Sequence, residues 1–464
     1  MQRLSVLLSV TLAGCVASGG VAAPQSETVV SVHESDSGTT DIWIGGSPVQ
    51  TQVLVSTPGE TYVGVWVDAP DNVPQMADRA PMAVSLVIDV SGSMAGEKIA
   101  NARMAASSLL ETMANGDIVS IYGFSNGVSE IAAPTALSSS SRAYLMQQIS
   151  MLQPLGGTNM WAGMQAGIRR MAEAPASHPI RRIMLISDGQ ANIGPSDPQS
   201  LGNLAAQATE WRTQVTAIGV GLDYDERTLG ALAVRSSGRL YHLAQSHQMA
   251  SILERELQVL ANTVAVDAHI EVIPAPGVVI LEGLTMGSQV ENNRLRIPLG
   301  SVYAGQRREV LMRARVATNS PGARNLATAR LVYHLPGERS GREKTQTSAV
   351  TYQVSADNAA VVASVTPRVH AMVANYNATQ AQMRAVEYMN SGDGEQAAAE
   401  MERAEQQLVQ AAEAAPAAPS SIQLRSRAGN FKKGATRARK ARSREQKRDA
   451  ALDFNDDAME AEGY

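Results

Sequence analysis

The stretch MAVSLVID (82–89) is apolar without alternation until it ends in an acid. A strand with no in–out periodicity is buried on both faces, the condition of a parallel sheet covered by helices on either side. The neighbouring sequence supplies both components. Ile99, Ala102, Ala105, Ala106, Leu109, Leu110 and Met113 recur at three- and four-residue steps, the mark of a helix with one buried face. Further strand-like runs follow at DIVSIYGF (117–124), RRIMLISDG (181–189), TQVTAIGVG (213–221) and GRLYHLA (238–244). The Asn126-Gly127 pair predicts a tight hairpin into one antiparallel strand. Helical patterns lie around 141–152, 159–174, 199–211, 225–235 and 247–262. Strands alternating with helices of this length predict a doubly wound, mostly parallel α/β domain over 82–262.

The flanks read differently. Residues 26–80 and 264–356 hold short β-type runs separated by Gly, Ser, Pro and Asp. The N-terminal part has too few strands to stand alone. The economical expectation is one antiparallel β-sandwich with the α/β domain inserted between its two parts. Val369, Met372, Tyr376, Met383 and Val386, then Met401, Ala404 and Leu408, predict a helical hairpin over 366–412, broken at Ser391-Gly-Asp-Gly394. That turn lacks the spaced acids of a calcium loop. Residues 413–464 read as a linker followed by a disordered basic tail. Between Leu424 and Arg448 eleven Lys/Arg stand against one acid, so the net charge of −5 conceals an acidic body with a basic end.

The first 23 residues carry the features of an export signal: Arg3, an apolar run from Leu4 to Ala13, then small residues. LAGC (12–15) resembles the lipobox of bacterial lipoproteins, in which the cysteine is lipidated and becomes the mature N-terminus. Ordinary cleavage after Val21-Ala22-Ala23 competes, although Pro24 disfavours it. Cys15 is the only cysteine, so no internal disulfide can form. The expectation is a lipid-anchored protein of the bacterial cell envelope, periplasmic or surface-exposed, and otherwise a secreted one.

The chemistry concentrates at strand ends, where open α/β sheets bind ligands. Asp89, Ser91 and Ser93 follow the first parallel strand, Thr158 follows two glycines, and Asp188 ends another strand. Neighbouring strands lie about 5 Å apart, so adjacent strand ends can bring these five to one point. Two carboxylates and three hydroxyls form a hard oxygen donor set suited to Mg²⁺, with Ca²⁺ or Mn²⁺ as alternatives, and ill-suited to zinc. With the hydroxyls bound directly and the acids partly through water, such an ion stays electrophilic and can accept an outside carboxylate.

The pattern Asp89-x-Ser91-x-Ser93 … Thr158 … Asp188 resembles the metal-ion-dependent adhesion site of the von Willebrand factor A domain family. The resemblance covers about 82–262. The sandwich-with-insertion layout and the ILERELQVLANTVA stretch are similar to secreted bacterial proteins related to inter-alpha-trypsin inhibitor heavy chains. The resemblance implies a metal-dependent protein- or glycan-binding role and no enzymatic activity. A scaffolding envelope lipoprotein whose metal only stabilises the fold is the alternative.

The same residues admit other readings. Helix capping explains Asp89, Ser91 and Ser93 but not Thr158 or Asp188. A serine hydrolase would want Gly-x-Ser-x-Gly and a histidine at a matching strand end, and the phosphate-loop pattern is missing. The seven histidines are scattered, and His242 and His247 are expected in ordinary roles. Asp223, Asp225 and Glu226 are expected to cap the next helix rather than bind a cation. The basic end suggests attraction to anionic lipid or an acidic wall polymer. With Phe431 its only aromatic, it offers no stacking platform for nucleic acid.

Overall fold

The computed structural model describes residues 43–71, 79–336, 338 and 342–464. Cys15, the export signal and residues 26–42 lie outside the described residues. Strands β1 (Ile44–Pro48), β2 (Gln52–Leu54) and β3 (Glu60–Asp68) open the fold. The α/β block follows as β4 (Met82–Asp89), α1 (Glu97–Thr112), β5 (Ile118–Phe124), β6 (Val128–Ala136), α2 (Ser139–Ser150), α3 (Met160–Ala172), β7 (Ile180–Ser187), α4 (Pro198–Ala208), β8 (Thr213–Val220), α5 (Glu226–Ser236), β9 (Arg239–Leu243) and α6 (Met249–Ala261). The β-rich style then returns with β10 (Thr263–Pro274), β11 (Val279–Gly283), β12 (Gln289–Glu291), β13 (Arg294–Tyr303), β14 (Arg307–Arg315), β15 (Gly322–His334) and β16 (Lys344–Ser355).

Strands from both flanks share two sheets, ordered β1-β3-β14-β11 and β12-β13-β10-β15-β16-β2. β3 pairs antiparallel with β14 along its whole length, from Asp68 against Arg307 to Glu60 against Arg315. β2 adds in parallel to β16. Val63, Val65, Val67, Val310 and Met312 from one sheet pack against Ile270, Val272, Ile297, Leu331 and Val350 from the other. Alternation along β3 and β14 makes this face, since every second side chain points into the sandwich. The α/β domain is inserted between β3 and β10.

Its sheet runs β6-β5-β4-β7-β8-β9, with only β6 antiparallel. All eight residues of β4 are buried, as its unbroken apolar pattern requires. At the amino ends of these strands wholly buried Arg182 of β7 pairs with Glu256 at 3.5 Å and hydrogen-bonds the Tyr303 hydroxyl of β13. The sandwich is thus tied to one edge of the sheet, and the carboxyl ends form the opposite rim.

Five helices complete the chain: α7 (Asn358–Ala363), α8 (Pro367–Ser391), α9 (Gly394–Ala414), α10 (Pro419–Lys440) and α11 (Arg444–Ala461). Arg368 seats α8 on the sandwich, reaching Asp68 with both Nη atoms at 2.7 and 2.8 Å and covering the Trp66 ring. The expected disordered tail over 413–464 is instead α10 and α11, packed with α8 and α9 around one core. Leu424, Ala428, Phe431, Ala435 and Ala438 form its stripe on α10. Alanines carry little hydrophobic signal individually, so eleven cations masked their periodicity in the sequence. Several of those cations have internal partners: Arg437 holds Asp449 at 2.7 Å, Arg439 holds Glu402 at 2.8 Å, and Arg448 holds Glu226 at 2.6 Å. Leu452 and Met459 of α11 enter the α/β core beside Leu229 and Leu232. The basic segment is therefore a folded brace against the inserted domain.

Candidate metal centre

The order of strands reverses between β4 and β7, the two centre strands of the parallel sheet. Chain leaves β4 toward β5 on one side, while β7 leads to β8 on the other, so their following loops flank a crevice. Register fixes the depth: Ile88 pairs with Ile186, and Asp89 with Phe124. Asp89 and Ser187-Asp188 consequently emerge side by side at the rim.

Asp89 and Asp188 are both wholly buried. Asp89 Oδ1 accepts from the Ser91 amide at 2.8 Å, and its Oδ2 accepts from Ser187 Oγ at 2.6 Å. Burial pushes the Asp89 carboxyl above the usual carboxylate range, the Ser187 and Ser91 hydrogen bonds oppose that rise, and the Asp188 charge adds to it. Ser93 Oγ donates to Asp188 Oδ1 at 2.8 Å and lies 3.0 Å from Ser91 Oγ. Ser93 is exposed, so the cluster opens to solvent through its hydroxyl.

Thr158 reaches the same point from a loop built by glycine. Gly156 adopts φ +82°, and a side chain there would also strike Asn126. Asn126 Oδ1 accepts from the Gly157 amide at 2.6 Å, and Asn192 Oδ1 accepts from the Thr158 amide at 2.8 Å. Gly92 donates to the Gly156 carbonyl at 3.0 Å, locking this loop to the one after β4. A methyl group built on Gly189 would stand 3.5 Å from Ser93 Oγ and 3.7 Å from Thr158 Oγ1. Ser93 and Thr158 therefore face one small space beside Gly189, with Ser91 and Asp188 bonded to Ser93 and Asp89 behind them, held by Ser187 and the Ser91 amide.

The donor set fits a hard divalent cation. Two buried carboxylates side by side carry a charge that burial alone makes costly, and three hydroxyl oxygens complete an all-oxygen environment. One counter-charge is built in: Lys98 Nζ pairs with Asp188 Oδ2.

Sequence reasoning missed Lys98, Ser187, Asn126 and Asn192. Lys98 left a trace, because a lysine in the first turn of α1 opposes the helix dipole and so has another employment. Asn126 read only as a turn residue, and Ser187 and Asn192 carry no signal apart from their neighbours in space. Asp225 caps α5, accepting from the Arg227 amide at 3.1 Å and the Thr228 hydroxyl at 2.6 Å, while Glu226 pairs with Arg448. Asp393 likewise caps α9 through the Gln396 amide at 3.0 Å.

The family described as von Willebrand factor type A domain matches residues 84–255. Inter-alpha-trypsin inhibitor heavy chain H3 of Mesocricetus auratus is 27% identical over 208 residues, covering 43% of this chain and 23% of its own length. An uncharacterised protein of Synechocystis sp. is 23% identical over 268 residues, 56% of this chain and 63% of its own. The chain thus spans less than two thirds of either relative. Among solved structures, a von Willebrand factor type A protein from Catenulispora acidiphila superposes with a TM-score of 0.71 at 16% identity, covering 90% of this chain and 96% of that one. The ArnB paralog VWA2 from Sulfolobus acidocaldarius gives 0.58 at 18% identity, covering 90% and 98%. At such identities the likeness is one of fold, and it extends well beyond the inserted domain. Residues 84–255, carrying the five-residue oxygen cluster on their rim, are a von Willebrand factor type A domain.

Proposed function

We propose that the protein is an extracytoplasmic binding protein in which Asp89, Ser91, Ser93, Thr158 and Asp188 hold a divalent cation, Mg²⁺ by the hardness of the donors. Bound there, the ion would offer a Lewis-acidic position to a carboxylate of a partner protein or an acidic glycan. The observation that carries this reading is the pair of wholly buried carboxylates behind an exposed hydroxyl at the strand switch point. Asp89 orients the Ser91 backbone, Ser187 fixes Asp89, and Asn126 and Asn192 hold the Thr158 loop in place. The donors are thus set before a ligand arrives, which lowers the ordering cost of binding.

Several features support binding rather than catalysis. Ser91 and Ser93 hydrogen-bond each other, Ser93 also donates to Asp188, and neither is paired with a histidine among the described residues. Beside the rim a cleft of about 1020 Å³ runs past Gln190, Asp225, Glu226, Asn390 and Arg448, room for a partner to extend beyond the ion. Domains of this family are typical of adhesion and protein-interaction proteins and commonly bind a divalent ion. Arg3, the apolar run behind it and Cys15 support export and a lipid anchor in the bacterial envelope.

The test is capture of partners from envelope extract by the full chain in Mg²⁺, in EDTA, and with Ser93→Ala or Asp89→Ala. Loss of the same captured species in EDTA and in both variants is expected. Undiminished capture in EDTA would overturn the reading. Should Mg²⁺ raise the melting temperature while capture stays unchanged, the ion is a stabiliser only.

A further inference from the structure

α11 carries Asp449 and Asp453 four residues apart, one above the other on a single helical face. Opposite them stands His242 of β9, the edge strand of the α/β sheet. One carboxylate oxygen from each acid and a ring nitrogen of His242 all lie within 4.8 Å of one another.

The histidine is the telling member. Its side chain is only 4% exposed. Nδ1 is engaged by the Tyr224 hydroxyl at 3.1 Å. Nε2 is buried and has no hydrogen-bond partner among the described residues. It sits 4.0 Å from Asp453 Oδ1, too far for a hydrogen bond. A buried polar nitrogen with no partner is costly unless something fills the gap. Burial pushes the imidazole down to about 4, against the opposing charge of Asp449. In the tautomer whose Nδ1–H donates to Tyr224, the Nε2 lone pair faces the two carboxylates. A hydrogen bond at the far nitrogen is how metal-binding imidazoles are held. Gly219 permits it, since a Cβ there would lie 2.4 Å from the Tyr224 ring.

The carboxylates are oriented as well. Arg437 of α10 binds Asp449 Oδ2 at 2.7 Å and also contacts Asp453 Oδ2. One guanidinium against two acids leaves net negative charge, with Asp453 Oδ1 turned toward His242.

We propose that His242, Asp449 and Asp453 form a second metal site, selective for a borderline divalent ion of the zinc class. One nitrogen and two carboxylates are the protein ligands such an ion accepts, with water as a fourth. The rim cluster, all oxygen, has the opposite preference. Zn–N and Zn–O distances of about 2.0–2.2 Å require the three donors to close in slightly, a movement within reach of carboxylate rotation. The ion would clamp α11, and with it the C-terminal helices, to the last strand of the inserted domain.

The test titrates Zn²⁺ into the full chain in excess Mg²⁺, followed by calorimetry, with Co²⁺ absorption reporting low-coordinate nitrogen and oxygen ligation. Wild type should take up one Zn²⁺ and melt at a higher temperature with it. Asp453→Asn and His242→Gln should each weaken uptake by about tenfold or more, while Asp89→Ala leaves it unchanged. Retention in Asp89→Ala separates this site from the rim, so either can fail alone. The proposal is overturned if wild type takes up no Zn²⁺ in excess Mg²⁺, or if folded Asp453→Asn binds as wild type does. Asp453 lies at the helix surface, so that variant decides the question even if His242→Gln fails to fold.

Discussion

The ammonium of Lys98 pairs with Asp188, a carboxylate wholly buried at the rim of the α/β sheet. A side chain of the protein thus already supplies one of the positive charges that the five-residue cluster demands. Lysine and divalent ion should compete for that field. Lys98→Met is therefore expected to tighten Mg²⁺ binding by about 1 kcal/mol, the low end of a unit-charge repulsion at about 4 Å, because the lysine can swing outward. Calorimetric titration of both proteins measures it, and weaker binding by the variant would show that Lys98 assists the ion instead.

Gly189 separates fold from site. A methyl there would be in ordinary contact with Ser93 Oγ at 3.5 Å and Thr158 Oγ1 at 3.7 Å, so no backbone has to shift. Gly189→Ala should change stability in EDTA by no more than about 1 kcal/mol. It should also abolish the Mg²⁺-induced rise in melting temperature, because the methyl occupies the space the donors enclose. A variant that keeps the full rise would show that the ion sits elsewhere.

The Arg448–Glu226 pair links α11 to α5 and has a definite pH signature. Burial raises the Glu226 carboxyl, but the hydrogen bond and charge of Arg448, with its own backbone amide and Asn390, outweigh that rise and hold it below the ordinary glutamate range. A depressed carboxylate adds stability above its unfolded value and loses it as pH falls through the folded one. Arg448 also donates to the carbonyls of Leu222 and Tyr224, at 3.1 and 2.7 Å. Arg448→Met should cost about 2 kcal/mol near pH 7, discounted from a fully buried pair because the arginine is partly exposed. The gap between variant and wild type should narrow below about pH 4.5, which denaturation at several pH values would reveal.

Phe431 tests whether the basic segment is structural. It is 2% exposed in the core of the C-terminal helices, with Arg427 over its ring. Phe431→Ala should destabilise the bundle by about 3 kcal/mol, read by chemical denaturation. A cost near zero would mean that the segment does not pack in solution.

The correspondence between sequence and site rests on hydrophobic periodicity and on oxygen chemistry at strand ends. β4 and β7 were legible because strands buried on both faces must be apolar throughout, and their ends therefore mark the rim. Asp89, Ser91, Ser93 and Asp188 were legible because they follow such ends, and Thr158 because two glycines set it before a helix. The residues that steady them were not. Ser187, Asn126 and Asn192 act through single hydrogen bonds to backbone or carboxylate, and polar residues in turns are too common to announce such a role.

The same limit explains the helical end and the zinc-class cluster. The alanine stripe of α10 buries small side chains, so its periodicity weighed less than its charge. His242 and Asp453 are 211 residues apart and meet only because α11 packs on β9. By itself the sequence determined the inserted α/β domain, its β-rich flanks and the composition of the rim cluster, since local periodicity and strand-end chemistry are written in consecutive residues. Only the tertiary structure decided that Lys98 enters that cluster, that the basic end folds, and that a buried imidazole faces two carboxylates. Those outcomes depend on which surfaces find one another, and long-range packing energies are not encoded at any single position.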